Sequence, residues 1–360
     1  MRVAVAMSGG VDSLRTATLL KQQGNDVFGL HMRLFPPPGT DEPSIARIVE
    51  DREKTLNHIA SKLDIPLTVV DMREHFDELV ASPFIQAYLK GRTPNPCAIC
   101  NPRIKFGLLL RRALELGADR FATGHYARII PPASNPGRFG ILRACDKAKD
   151  QSYFLFGLTQ EQLSVAIFPL GKTYKTDVLR WAEEEGLSPL IPGESQEICF
   201  IPSGSYTDFV RQRVQVDSRS CEGLIVDLED RVLGRHGGIY NYTVGQRRGL
   251  GIPSTSPYYV VELDPVANKV RIGRSADLYC SRFTVDSVNW VSVAPPREPV
   301  RCRVRIRHKH EAASALVTPL NDSAASVEFD RPQRAVTPGQ AAVFYVEDLL
   351  LGGGTINHRN

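Results

Sequence analysis

A chain of 360 residues, 42% of them hydrophobic, is long enough at roughly 100–200 residues per domain to hold two or three packed cores. Its formal charge of +4 admits a polyanionic partner without requiring one, and 7 cysteines scattered over this length exclude a small disulfide-framed secreted domain. No apolar run reaches the ~20 residues of a membrane span and no signal-like segment follows Met1, so a cytoplasmic protein without a membrane partner is expected.

In chain order, RVAVAM reads as a buried strand and runs through SGGVDS into the helix-period segment VDSLRTATLLKQQG. DVFGLHM, SIARIVEDREKTLNHIASKLD, LTVVD, HFDELVASPFIQAYLK, RIKFGLLLRRALELG, DRFATGHY and YKTDVLRWAEEEG continue the alternation. Strands alternating with helices predict an α/β domain, a parallel sheet with helices on both faces. Beyond about residue 205 the pattern changes to short strands with Gly, Pro and Asp turns: GLIVDLEDRVLGRH, YYVVELDPVANKVRIG, FTVDSVNWVSV, PVRCRVRIRH, AASVEF and QAAVFYV. These read as antiparallel hairpins. Boundaries fall near 205 and 273, giving segments 1–205, 206–272 and 273–360.

SGGVDS, Ser8 to Ser13, sits between a strand and a helix start. Its glycines let backbone approach a phosphate, the helix N-terminus supplies N–H donors, and Asp12 stands where a carboxylate can hold Mg²⁺. The string matches the pyrophosphatase-type ATP loop, whose enzymes release AMP and pyrophosphate and so imply an adenylated substrate. LGKT at 170–173 is a decoy, because the Walker pattern needs glycine where Ala166 stands. ATGHYAR, following a strand, belongs at the carboxyl edge of the sheet, with Gly124 allowing close approach to a nucleotide and His125 beside it.

TPNPCAICN sets Cys97 and Cys100 three positions apart in a proline-framed turn. Such a pair serves as a redox dithiol, half a zinc site, part of an iron–sulfur site, or a nucleophile with a bystander. Zinc lacks an obvious fourth soft ligand. VRCRVRIRHKH alternates strictly, Cys302, Val304 and Ile306 on one face, Arg301, Arg303, Arg305 and Arg307 on the other. At ~3.4 Å per residue the arginines form a stripe suited to a phosphate backbone. Arg247 and Arg248 beside the aromatics of YNYTVGQRRGLGI offer a second RNA surface, and Cys145, Cys221, Cys280 and Cys302 read as structural.

SGGVDS, GRTPNPCAICNPRIKFG, ATGHYAR, KDQSYFL, ESQEICFIP and YTVGQRRGLGI, in this order, resemble the tRNA-specific 2-thiouridylase family over residues 3 to about 350. The resemblance implies an adenine nucleotide alpha hydrolase-like first domain, a small β-rich central domain and a C-terminal β-barrel, the last two contacting tRNA. It implies ATP-dependent replacement of the C2 oxygen of a wobble uridine by sulfur, with ATP and Mg²⁺ as cofactors and an upstream sulfur-donor protein, in a monomer. ATP contacts would come from Ala6, Met7, Ser8, Gly9, Gly10, Val11, Asp12, Ser13, Met32 and Gly124. Asn95, Pro96 and Cys97 would meet a flipped-out base, and Lys149, Asp150, Gln151, Arg305, Arg307 and His308 would meet tRNA. Cys199 would receive a persulfide, with Cys100 as its catalytic partner and the two as a disulfide pair.

The sequence departs from the family pattern in two places. Cys97 stands where well-described members carry an acid/base Asp, which leaves open a [4Fe-4S] route on Cys97, Cys100 and Cys199. Leu14 and Arg15 follow the ATP loop where relatives often have small residues. Two other readings compete: an amidotransferase-type synthetase using the same loop, and an RNA-binding protein without catalysis. The first would want a glutaminase domain; the second conflicts with an intact SGGVDS.

Overall fold

The computed structural model of the chain describes residues 1–34, 43–133, 137–187, 198–201, 205–214 and 222–359. Strands β1 (Arg2–Ala6), β2 (Asp26–Arg33), β3 (Leu67–Asp71), β4 (Arg120–Ala122) and β7 (Ala166–Ile167) form one parallel sheet in the order β3-β2-β1-β4-β7. Val3, Ala4 and Val5 of β1 are fully buried, the continuous apolar run of a strand covered on both faces. Helix α1 (Val11–Gln22) buries Val11, Leu14, Ala17 and Leu20, and the later helix Lys175–Glu184 packs against it through Val178, Trp181 and Ala182. α2 (Pro43–Lys62) adds Leu56, Ile59 and Ala60 to the same core. The chain moves outward from β1 to β3 and returns on the other side to β4, so the carboxyl ends of β1 and β4 form the switch point where open sheets bind ligands.

β5 (Ala127–Ile130) and β6 (Gly140–Arg143) were not expected from the sequence, and they leave the parallel sheet altogether. β6 pairs antiparallel with β17 (Leu349–Arg359), fastening the first domain to the last. Between them lies a four-stranded sheet of β8 (Gly223–Val226), β9 (Val232–His236), β10 (Tyr259–Asp264) and β11 (Lys269–Gly273), ordered β10-β11-β8-β9. Its two hairpins are antiparallel as expected, but they are joined by a parallel β11–β8 pair. The long crossover from β9 to β10 permits this.

β12 (Tyr279–Trp290), β13 (Val300–Arg305), β14 (Ala313–Asn321), β15 (Ala324–Arg334), β16 (Ala341–Val346) and β17 form a closed six-stranded antiparallel barrel in the order β12-β15-β14-β13-β16-β17, β17 pairing back to β12. Closure removes the edges an open sheet would expose. β14 had no sequence signal of its own, because Ala313, Ser314, Ala315 and Pro319 dilute its β-forming residues. Phe283, Val304, Val317, Val327, Phe344 and Ile356 fill the barrel.

Candidate active site

The ATP loop lies as expected at the end of β1. Gly10 caps α1 without a side-chain bond, Gly9 takes φ +85°, and the Ser13 hydroxyl donates to the Gly10 carbonyl at 2.8 Å. Ser8 is exposed, while the side chain of Met7 is buried in the core, so any contact from Met7 to a ligand falls to its backbone. Ala6 and Met32 are half-buried at the same edge.

Asp12 is not the free carboxylate that the sequence suggested for Mg²⁺. Lys175 Nζ sits 2.7 and 2.8 Å from its two oxygens, with the Lys175 side chain almost wholly buried, and the Tyr126 hydroxyl donates to it at 2.8 Å. An ammonium this close neutralises the charge a divalent ion would need. Asp12 thus fits Lys175 rather than an open metal position. At Gly124 a Cβ would lie 2.9 Å from the Asp12 carbonyl carbon, so its missing side chain also admits the ATP loop itself. Leu14 is fully buried in the core and Arg15 lies over the Trp181 ring at 5.0 Å, which accounts for both residues as packing against the helix Lys175–Glu184.

The thiol turn is built locally. Asn95, extended at φ −111° and ψ 93°, caps the helix α3 (Pro96–Cys100) by accepting from Ala98 N–H at 3.3 Å. Pro102 then supplies no donor and its ring crowds the carbonyl four residues back, and the helix continues as a π-helix over Asn101–Leu109. In an α-helix, positions five apart point ~140° from each other; the wider turn swings the fifth residue nearly over the first. Lys105 is thereby brought round toward Cys100.

Cys199 arrives by a different anchor. Phe200, fully buried, packs edge-on against Phe76 at 5.3 Å, Phe84 at 5.2 Å and Phe209 at 5.5 Å, in the same hydrophobic cluster that buries Cys100. With Phe200 turned inward, Cys199 is exposed, as is Cys97. The residues ESQE before it, like Cys221, lie outside the described residues. None of Cys97, Cys100, Cys145, Cys199, Cys280 and Cys302 is in a disulfide, so the Cys100–Cys199 pairing that the resemblance implies is not formed here.

Burial pushes the Cys100 thiol up to about 12, with Lys105 opposing the shift and the neighbouring Cys199 and Cys97 adding to it. Burial also raises Cys97 and Cys199, against the same Lys105; both side chains reach solvent, so the effect bears most heavily on Cys100. His125 is driven well below its ordinary range by burial and then by Lys105, and its Nδ1 lies 2.7 Å from the Thr123 hydroxyl. One ammonium therefore acts on all three thiols and on the histidine at the nucleotide edge. Lys105, Lys175 and Tyr126 were missed in the sequence; an α-helical reading turns Lys105 away from Cys100, and only the tertiary fold brings Lys175 to Asp12.

Among the described residues no group of three His, Cys, Asp or Glu side chains is arranged to hold a metal ion. As placed, Cys97, Cys100 and Cys199 do not fit a [4Fe-4S] cluster.

The expected tRNA contacts divide. Asp150 is buried and accepts from Arg143 at 3.1 Å, Arg305 at 3.3 Å, the Ser152 hydroxyl at 3.1 Å and the Ala144 amide at 3.1 Å. Arg305 also donates to the carbonyls of His310 and His308, and Arg307 to that of Arg334 at 3.1 Å. Arg301 pairs with Asp330, and Arg303 with the Ala312 carbonyl. The arginine stripe alternates as expected; Arg301 and Arg303 stay exposed beside their partners, while the Arg305 guanidinium is engaged within the protein. Gln151 accepts from the Tyr126 amide at 3.0 Å, Lys149 is half-buried, and His308 lies against Phe154 at 4.7 Å. Arg247 and Arg248 are exposed, Arg247 lining an open groove of about 570 Å³ with Leu250, Ile252 and Tyr258.

A nucleotide loop at the switch point of a parallel sheet, thiols nearby and two appended β modules define an ATP-using enzyme of the HUP class. Family models described as tRNA methyl transferase HUP domain, tRNA methyl transferase PRC-barrel domain and aminomethyltransferase beta-barrel domain match residues 1–203, 207–274 and 280–356. The tRNA-specific 2-thiouridylase of Syntrophotalea carbinolica is 46% identical over 354 residues, 98% of this chain and 98% of that protein. That of Acidobacterium capsulatum is 45% identical over 369 residues, again covering 98% of each. The chain belongs to the tRNA-specific 2-thiouridylase family. The U34-tRNA thiolase NcsA from Methanococcus maripaludis, solved with its [4Fe-4S] cluster, is a distant likeness: 19% identity, 60% of this chain, 64% of that chain, TM-score 0.35. No helix among the described residues is long and apolar enough to cross a membrane.

Proposed function

We propose that the chain thiolates C2 of the wobble uridine of tRNA, converting ATP to AMP and pyrophosphate. The observation that carries this reading is the shared seating of Cys100 and Phe200 in one hydrophobic cluster, which sets Cys199 in the same electrostatic neighbourhood as Cys100. The uridine O2 attacks the α-phosphorus of ATP held at Ser8–Ser13, and pyrophosphate leaves. The outer sulfur of a Cys199 persulfide adds to C2. Cys100 thiolate then attacks the Cys199 sulfur; the S–S bond breaks with its electrons passing to the sulfur on C2, and AMP departs with the former oxygen. A Cys100–Cys199 disulfide remains, which a dithiol reduces before a sulfur-donor protein reloads Cys199.

Lys105 supports thiolate at both cysteines against their burial, and Cys97, with Asn95 and Pro96, faces the base as the proton-handling group. The test is mass spectrometry of the protein after sulfur loading, paired with nucleoside analysis of the tRNA. Cys100→Ser should accumulate persulfide on Cys199 and form no 2-thiouridine, whereas Cys199→Ser should carry neither. Thiolation by Cys199→Ser at the parent rate would sink the relay. Cys97→Asp should retain much of the activity.

A further inference from the structure

The turn that carries Cys97 is held by the barrel at the far end of the sequence. Thr93 N–H donates to the Pro338 carbonyl at 2.9 Å, and Gln340 Nε2 donates to the Thr93 and Pro94 carbonyls at 3.1 and 3.4 Å. Arg92 reaches Asn357 at 2.6 Å. Tyr153 donates to the Ala341 carbonyl at 2.9 Å, adding a further tie between the first domain and the strand that follows this contact. The barrel side of this contact is itself pinned: Gly339 N–H donates to Ile356 and Ile356 N–H to Gln340, both at 2.8 Å.

Gly339 makes the approach sterically specific. It takes φ +92°, and a Cβ there would stand 2.9 Å from both the nitrogen and the oxygen of Thr93. Both obstructing atoms are backbone, which cannot swing aside as a flexible side chain does. On the other side of the contact, every residue of Thr93-Pro94-Asn95-Pro96 is either a proline or precedes one. Proline fixes its own φ and restricts the residue before it, so the four residues have few soft dihedrals in which to absorb a displacement. A shift at Thr93 is carried into α3, and with it Cys97 and Cys100.

We propose that residues 337–340 of the barrel are a clamp that positions the thiol turn, with Gly339 as its positioning residue, so that seating of the barrel sets where Cys97 and Cys100 stand relative to the ATP loop. The proposal rests on the thiolation reading only in taking this turn as the reacting one. In the full-length protein, Gly339→Ala should speed amide hydrogen exchange across 96–101 and change the alkylation rate of Cys97 several-fold, while exchange across 8–13 and tRNA affinity stay within about twofold. Thiolation at saturating tRNA and ATP should fall about tenfold or more. Asn357→Ala, which removes one side-chain hydrogen bond and introduces no clash, should move the same readouts in the same direction by a smaller amount, and decides the matter if Gly339→Ala fails to fold. Unchanged exchange over 96–101 together with unchanged Cys97 alkylation in the folded variants would overturn the clamp. Failure of the parent protein to thiolate would instead overturn the functional reading, and the exchange and alkylation measurements would still decide the clamp.

Discussion

Single charges decide most of the chemistry at the residue scale. Lys105 opposes the burial that pushes Cys97, Cys100 and Cys199 up. Removing a cation favours the neutral thiol, so Lys105→Met should raise the thiol pKa values further and move the pH profile of Cys97 alkylation upward. At pH 8 the reaction should slow several-fold; an unmoved profile would show that the ammonium does not act on the thiols. Arg305 gives the opposite lesson, a basic residue whose charge is consumed inside the protein. Arg305→Ala leaves the buried Asp150 with Arg143 as its remaining ion-pair partner and should destabilise by about 3 kcal/mol, read from the denaturant midpoint. Arg247→Glu with Arg248→Glu should instead flatten the salt dependence of tRNA binding, each lost phosphate contact removing about 0.7–0.9 from the log–log slope. An unaltered slope would remove those two arginines from the RNA surface.

At the scale of elements, Phe200 is the anchor that sets Cys199. Phe200→Ala should cost about 3–5 kcal/mol and uncouple Cys199 from Cys100, whereas Phe200→Leu should keep much of both stability and thiolation. Thermal unfolding together with the thiolation rate checks this, and full activity in the Ala variant would contradict it. β1 to β4 and most of the hairpin strands were legible in the sequence because their apolar periods are local, RVAVAM burying both faces and VRCRV only one, whereas the two-residue β7 and the diluted β14 were not. The π-stretch Asn101–Leu109 was not, since RIKFGLLLRR has ordinary helical composition and the wider turn follows from Pro102 in its setting. The hairpin β5–β6 was missed because its partner, β17, lies some 200 residues further along the chain. Among the candidate site residues, the ATP loop and the CxxC turn announced themselves by motif. The engagement of Asp12, Asp150 and Arg305 inside the protein depends on partners that no local pattern names.

For the whole molecule, one core crosses from the first domain into the barrel. Ala4, Phe28, Phe106 and Phe121 share a hydrophobic cluster with Val291, Val343, Tyr345 and Leu350. Asn289 donates to the carbonyls of Phe156 and Leu158, and Asp348 pairs with Arg128 and Lys147. A fragment ending near residue 205 would lose Val291, Ala341, Val343, Tyr345 and Leu350 from that core and expose the apolar residues they cover. It should be aggregation-prone, and calorimetry of the full chain should show the parallel-sheet domain and the barrel melting in one transition; two resolved transitions assigned to them would contradict the shared core. The clamp at Gly339 and the shared core place the reacting turn under the control of the barrel. The central claim is that adenylation and sulfur transfer occur together on this chain. A single-turnover reaction with purified tRNA, ATP and persulfide-loaded protein tests it most directly, by counting AMP, pyrophosphate and 2-thiouridine in the same tube. The account predicts equal amounts of all three; ADP in place of AMP, or 2-thiouridine formed without nucleotide turnover, would contradict it.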